Sequence, residues 1–258
     1  HLIVNGILDL QALNPNASTG CLHMGNYTLT LGKYGTTTGI GEVSGTVSRN
    51  HPFENNTAYS FGSSLSTISL GITGTKPDQM SVKATFGTAP TWKNTAVKRT
   101  YDIVQSGGSG SFANVSLKYI DTELNSNNIE NLSYWQASGF PSPLTVEWGV
   151  TSNDTQEKQI TLKSIPVAFM GESAGQRLIT FAATAYPSLT WNGSQSTNWE
   201  NPYNWTPNRF PGKFTSSIIP DANTTTHNPL LTEMADVNKI NIHTNAILDA
   251  ATNALVKI

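Results

Sequence analysis

Apolar residues along this chain recur mostly at every second position, in short bursts. Leu2 and Val4 open the pattern, and Ile7, Leu8 and Leu10 follow a break at Asn5-Gly6. Gly25-Asn26-Tyr27-Thr28-Leu29-Thr30-Leu31-Gly32 is a short strand with turn residues at both ends. The stretch from Thr36 to Gly45 is rich in Gly and Thr, and Val43 and Val47 lie in period two. From about Arg49 the bursts follow one another closely. The pattern predicts strands at Ala58–Phe61, Ser66–Leu70, Met80–Phe86, Arg99–Val104, Ala113–Tyr119, Leu132–Trp135, Leu144–Trp148, Gln159–Leu162 and Arg177–Phe181. Turn formers separate them, among them Lys76-Pro77-Asp78 and Pro141-Ser142-Pro143. Many short, evenly spaced strands predict a two-sheet sandwich. Alternation puts Val115, Leu117 and Tyr119 on one face and Asn114, Ser116 and Lys118 on the other. Val146 and Ile160 are expected in the same core.

Tyr186-Pro187-Ser188 reads as a linker. Beyond it stand Trp191-Asn192-Gly193, Trp199 and Asn204-Trp205, then the apolar run Ser217-Ile218-Ile219-Pro220, then a tail that alternates again through Ile240, Ile242 and Leu248 to Ile258. The two ends of the chain resemble each other. Asn245-Ala246-Ile247-Leu248-Asp249-Ala250 matches Asn5-Gly6-Ile7-Leu8-Asp9-Leu10, and each is followed by an Asn and a second alternating strand. A parallel β-solenoid coil needs this arrangement: a strand buries its inward residues, Asn or Gly turns the corner, and the next coil stacks on top. With Ile258 placed before His1 of another copy, Asn5 falls 18 positions after Asn245, near the length of one coil.

The fold class read from these patterns is all-β, a β-sandwich module flanked by parallel β-solenoid-like coils at both chain ends. The expected divisions are 1–48 for the first coils, 49–186 for the sandwich, and 187–258 for a Trp-rich lead-in followed by further coils.

Composition narrows the function. Charged residues make up only 12% of the chain and the formal net charge is −2. No Lys/Arg cluster offers a face to phosphates, so nucleic acid is not an expected partner. No apolar run is long enough to insert in a bilayer. Cys21 stands alone, which excludes a disulfide framework and reads as a small buried residue. The chain opens on His1 rather than Met, as expected of a processed or excised fragment.

The segments just described resemble the large repetitive secreted cell-surface proteins, adhesin-like or fibre-like, of Bacteroidota-type bacteria exported by the type IX route. The solenoid stretches of that group are similar to Ile7-Leu8-Asp9-Leu10 followed by Tyr27-Thr28-Leu29-Thr30-Leu31-Gly32. Its sandwich modules are similar to Val97-Lys98-Arg99-Thr100-Tyr101-Asp102-Ile103 and to Leu117 through Asn125. Its next repeat opens much like Trp191-Asn192-Gly193, Trp199, Asn204-Trp205 and Ile218-Ile219-Pro220. The resemblance implies an extracellular location at the cell surface, a structural or adhesive role and no catalytic residues.

Three sets of residues are candidates for function. Asp121, Glu123, Asn125 and Asn127 place oxygen-bearing side chains at alternating positions, as a calcium loop would. An EF-hand is excluded because Ser126 stands where its glycine belongs. The competing reading is a polar hairpin loop held by Asx turns, and beyond calcium no cofactor is expected. Trp191, Trp199 and Trp205 are the residues a carbohydrate-binding module would use against surface glycans; the competing reading, which the resemblance favours, is a small aromatic core. Ile247, Leu248, Leu255, Ile7 and Leu8 are the expected stack between neighbouring repeats or subunits joined head to tail. No His pair has metal spacing, and no Ser-His-Asp signature or phosphate-cradling loop is present. An enzyme that cleaves glycans is therefore the last of three readings, after a structural repeat and a carbohydrate-binding module.

Overall fold

The structure is a computed structural model that describes residues 2–11, 21–108, 112–138, 144–166, 178–184, 188–209, 211–212, 215–232 and 234–258. The chain is mostly β, with 53% of the described residues in strands. Several sheets are present, and among the described residues neither a closed barrel nor a solenoid is detected, so the parallel β-solenoid-like coils expected at both chain ends are not found as such.

The first strands are β1 (Leu2–Val4), β2 (Ile7–Asp9), β3 (Cys21–Leu31), β4 (Thr36–Thr38) and β5 (Glu42–Asn50). They stack in parallel: β1 on β3, β3 on β5, and β2 on β4. The middle of the chain supplies β6 (Ala58–Ser63), β7 (Ser66–Leu70), β8 (Gln79–Phe86), β9 (Arg99–Ser106), β10 (Phe112–Lys118), β11 (Leu132–Ser138), β12 (Leu144–Gly149), β13 (Ser152–Asp154), β14 (Gln159–Pro166) and β15 (Leu178–Ala183). These pair with one another only antiparallel. An eight-stranded sheet runs β1-β3-β5-β8-β9-β15-β11-β12, and a five-stranded sheet runs β13-β14-β10-β7-β6. The boundary expected after Ser48 thus falls inside β5, because β5 is parallel to β3 on one edge and antiparallel to β8 on the other.

One apolar core fills the space between these two sheets. It extends from Met24, Leu29 and Val47 to Ile160 and Phe181. Val115, Leu117, Tyr119 and Ile160 are fully buried in it; the Val146 side chain lies outside the described residues. Burying each such aliphatic side chain contributes about 1.5–3 kcal/mol. The sheets also touch through polar atoms. Tyr134 on β11 donates its hydroxyl to the carbonyls of Val115 and Ile160, at 3.0 and 2.8 Å. Gly62 on β6 adopts a φ of +78°, and a Cβ there would press on Val43 of β5, so the strands approach too closely for any other residue.

The last strands are β16 (Ser188–Trp191), β17 (Trp205–Thr206), β18 (Ser216–Ile219), β19 (Leu230–Leu231), β20 (Met234–Asp236), β21 (Lys239–Ile242), β22 (Asp249–Ala250) and β23 (Leu255–Lys257). Parallel pairing returns here: β16 on β18, β18 on β21, β19 on β22 and β20 on β23. A second core, built on Leu189, Trp191, Trp199, Trp205 and Ile219, lies under them. Two contacts fasten this unit to the large sheets. Arg209 pairs with Glu147 at 2.6 Å, both buried, and Gly212 packs so tightly on the Val150 carbonyl that a Cβ would overlap it.

A buried ionic cluster ties β5 to the rest of the first core. Arg99 gives two hydrogen bonds to Glu42, at 2.9 and 2.7 Å, and one to Glu123 at 2.7 Å. Lys118 stands 3.6 Å from Glu42. Burial pushes the Glu42 carboxyl up, but Arg99 and Lys118 outweigh it and hold the group below its ordinary value of 4.5. For Glu123 burial prevails and the carboxyl is raised. The two contributions to stability therefore have opposite signs. That of Glu42 is present above pH 4.5 and is lost as pH falls through its lowered value; that of Glu123 is present below pH 4.5 and is lost as pH rises through its raised value. At pH 7, Glu42→Gln is expected to cost more stability than Glu123→Gln, and it should flatten the acid side of the stability curve. Arg99→Met, which leaves Glu123 without its cation and Glu42 with Lys118 alone, should cost about 3–5 kcal/mol. Urea unfolding of the three variants at pH 7 and pH 4 checks both statements.

Candidate functional site

The two ends of the chain are built alike. In the first stack Leu2 lies opposite Leu29, which lies opposite Val47. Leu29 is fully buried, whereas Leu2, with no strand beyond it among the described residues, is 43% exposed. In the last stack Leu189 lies opposite Ser217 and Ser217 opposite Ile240, while Ile219 lies opposite Ile242. Ile219 is 1% exposed and Ile242 57%. In each row the inward side chain on the outermost strand lacks the cover that a further strand gives the one behind it. Val4, Leu8 and Leu10 at one end, and Ile240, Leu248 and Val256 at the other, are half-buried for the same reason.

Backbone pairing ends in the same way. Among the described residues β1 and β21 are the outermost strands of their sheets, and β2, β22 and β23 each pair on one side only. The corners between strands are pinned from one layer to the next. Asn245, with a φ of 60° that suits Asn better than most residues, donates its side-chain amide to Asp221 Oδ2 at 3.1 Å and accepts from the Ala222 amide. At the other end the Thr38 hydroxyl donates to Asp9 Oδ1 at 2.8 Å.

Of the five residues expected to form the stack, Leu8 and Leu248 are half-buried toward the cores. Ile7, Ile247 and Leu255 are exposed. Alternation explains the split: only one of two neighbours in a strand can face inward, and Leu8 and Val256 take that side from Ile7 and Leu255. The inward rows Leu2–Val4 and Ile240–Ile242 were missed, although their period of two was legible.

The tryptophans offer no surface to a sugar. Trp191, Trp199 and Trp205 are buried and meet edge to face, with centroids 5.2 Å apart for Trp191 and Trp205 and 4.7 Å for Trp199 and Trp205. Their polar handles are used internally: Trp191 Nε1 donates to the His227 carbonyl at 2.7 Å and Trp205 Nε1 to the Trp199 carbonyl at 2.9 Å. A packed aromatic cluster gains its stability from area and ring geometry and leaves no face for stacking on a glycan.

The four residues read as a calcium loop do not converge. Asp121 pairs with Lys158 at 3.0 Å and Glu123 with Arg99. Asn125 donates its amide to the carbonyls of Asn94 and Ala96, and Asn127 to those of Thr95 and Leu124. The Asn127 oxygen accepts from the Ala183 amide. Ligands for calcium must turn their oxygens toward one point; here two of the four present N–H groups and the other two face cations. Among the described residues no group of three or more His, Cys, Asp or Glu side chains could hold a metal ion. Cys21 is half-buried, and burial raises its thiol above the ordinary value, which favours the unreactive form.

Comparison with protein-family models, with curated proteins and with solved structures finds no match for this chain.

Truncating the centre of the tryptophan cluster tests its assignment as core. Trp205→Ala is expected to cost about 3–5 kcal/mol, seen as a lower urea midpoint, while a glycan array gives the same response for the variant and the parent protein.

Proposed function

We propose that this chain is a structural and adhesive repeat unit of an extracellular bacterial surface protein or fibre. A two-sheet sandwich is carried between β-solenoid-like coils, and the units assemble head to tail through those coils. The observation behind this reading is the pair of open ends, each a parallel stack whose inward rows stop at partly exposed apolar side chains. Isolated edges of this kind attract another strand, and parallel stacks bury their rows only by gaining a neighbour. The ends differ from each other, so the contact is heterologous and builds open rows. A surface location is supported by the low charge, the lone cysteine and the resemblance to type IX-exported repetitive proteins. The carbohydrate-binding alternative is disfavoured, since Trp191, Trp199 and Trp205 are enclosed.

Blocking one end at a time tests the assembly. Leu2→Asp and Ile242→Asp alter side chains that are exposed in a single copy, so both variants should fold. The parent protein is expected to form oligomers that lengthen with concentration in analytical ultracentrifugation. Each variant alone should remain monomeric, and an equimolar mixture should give dimers and nothing longer, because each partner keeps one competent end. Dimers from either variant alone, or a mixture that stays monomeric, would sink the head-to-tail reading.

A further inference from the structure

We infer that the joint between copies has a single register, in which β1 of one copy adds in parallel to the free edge of β21 of its neighbour, with Leu2 opposite Ile240 and Val4 opposite Ile242. The inference rests on the head-to-tail reading and specifies its partner, a second copy of this chain, at the level of residue pairs.

Two observations fix the register. Side-chain parity comes first. Ile240 continues the row from Leu189 through Ser217, and Ile242 continues that of Ile219. Leu2 stands at the head of the row through Leu29 and Val47, and Val4 lies opposite Leu31. Pairing Leu2 with Ile240 and Val4 with Ile242 joins both rows at once. A slip of one residue would set the inward Leu2 and Val4 opposite outward residues of β21 and its corner, Lys239 and Asn241 or Asn241 and His243, and so break both apolar rows, which strand periodicity forbids where one face is apolar.

Row length excludes larger slips. β1 and β21 each present two inward residues and then reach a corner. A slip of two leaves one apolar side chain at each end uncovered, and the single remaining contact loses about half of the buried area.

The corners accommodate this pairing without fixing it. At the C-terminal end the Asn245 side chain rests on Asp221 of the layer below. At the N-terminal end Asn5 lies so close over Gly32 that a Cβ on Gly32 would meet its Oδ1. In this register Asn5, directly after Val4, falls opposite His243, and Asn245, three residues after Ile242, reaches the column of Asn5 through a corner two residues longer. A column Asp221, Asn245, Asn5, Gly32 then runs through the joint, and the shared order of Asn, small residue, Ile-Leu-Asp on both sides acquires a physical reason. Leu248 comes to lie over Leu8, both half-buried in a single copy.

Cysteine pairs read the register directly. In this pairing Ile3 lies opposite Asn241, both on the outer face, and facing residues of adjacent strands sit about 4.8 Å apart, within the range a disulfide spans. In a Cys21→Ser background, Ile3→Cys is combined with Asn241→Cys, with Lys239→Cys or with His243→Cys. After mild oxidation the Asn241 combination is expected to give about tenfold more disulfide-linked multimer on a non-reducing gel than either offset pair. Predominant linkage through Lys239→Cys or His243→Cys would overturn the register and leave head-to-tail assembly standing. Linkage through none of them, with oligomers still forming in the ultracentrifuge, would overturn the β1–β21 contact itself. Absence of oligomers in the parent protein would instead overturn the reading on which the register rests.

Discussion

Strand β5 carries the constraint on which the rest of the chain depends. It must offer a parallel edge to β3 and an antiparallel edge to β8, and the two ladders place their hydrogen bonds differently, slanted and evenly spaced on one side, perpendicular and paired on the other. A strand in that position is held at both ends by buried cations. Glu42 at its start receives the fork of Arg99. Arg49 near its end donates to the carbonyls of Gly32, Gly35 and Ser60 at 3.0, 2.7 and 3.0 Å. Burial lowers Arg49 to about 10, so it keeps its charge at neutral pH, and carbonyl oxygens surround the guanidinium. The first clamp fixes β5 to the antiparallel body, and the second fixes it to the corner of the parallel stack. Together they join two kinds of sheet in one.

The sequence made much of this visible, for physical reasons that can be traced. Strands flanked by Gly, Pro and Asn stand out because alternation and turn chemistry agree, as in Ser66–Leu70 and Arg99–Ser106. The joint inside β5 was hidden because alternation runs unbroken from Val43 to Val47, and no local signal marks a change of partner direction. The buried ions were half visible. Arg99 shares the parity of Tyr101 and Ile103, and Arg49 that of Val47, so charge on an inward position already announces a partner. Which partner is a matter of tertiary structure: Glu42 lies 57 positions from Arg99 and Glu123 lies 24.

The candidate sites show the same limit from the other side. Oxygen-bearing residues at alternate positions from Asp121 to Asn127 match both a cation loop and a turn that ties backbone segments together. Only the direction in which each amide points separates the two, and Asn125 and Asn127 present N–H to carbonyls. The tryptophans also had two readings, with the aromatic core favoured, until their indole nitrogens found the carbonyls of His227 and Trp199. At the ends of the chain the repeated words Ile-Leu-Asp were legible, but taking both apolar letters as inward ignored the pleat.

The buried Arg209–Glu147 pair and the contact of Gly212 with Val150 have a mechanical consequence. A charge pair sealed from water resists rotation, since any swing that parts it strands two ions in a poor solvent. A glycine pressed on a carbonyl leaves no slack along the approach. The second core is therefore a bracket, not a pendulum, on the large sheets. In a row of copies, the angle set at this bracket would recur at every step, so shape would accumulate along the row as a fixed pitch. Bending would then be resisted at each bracket as well as at each joint, and a filament would inherit its stiffness from two side chains far from where its subunits meet.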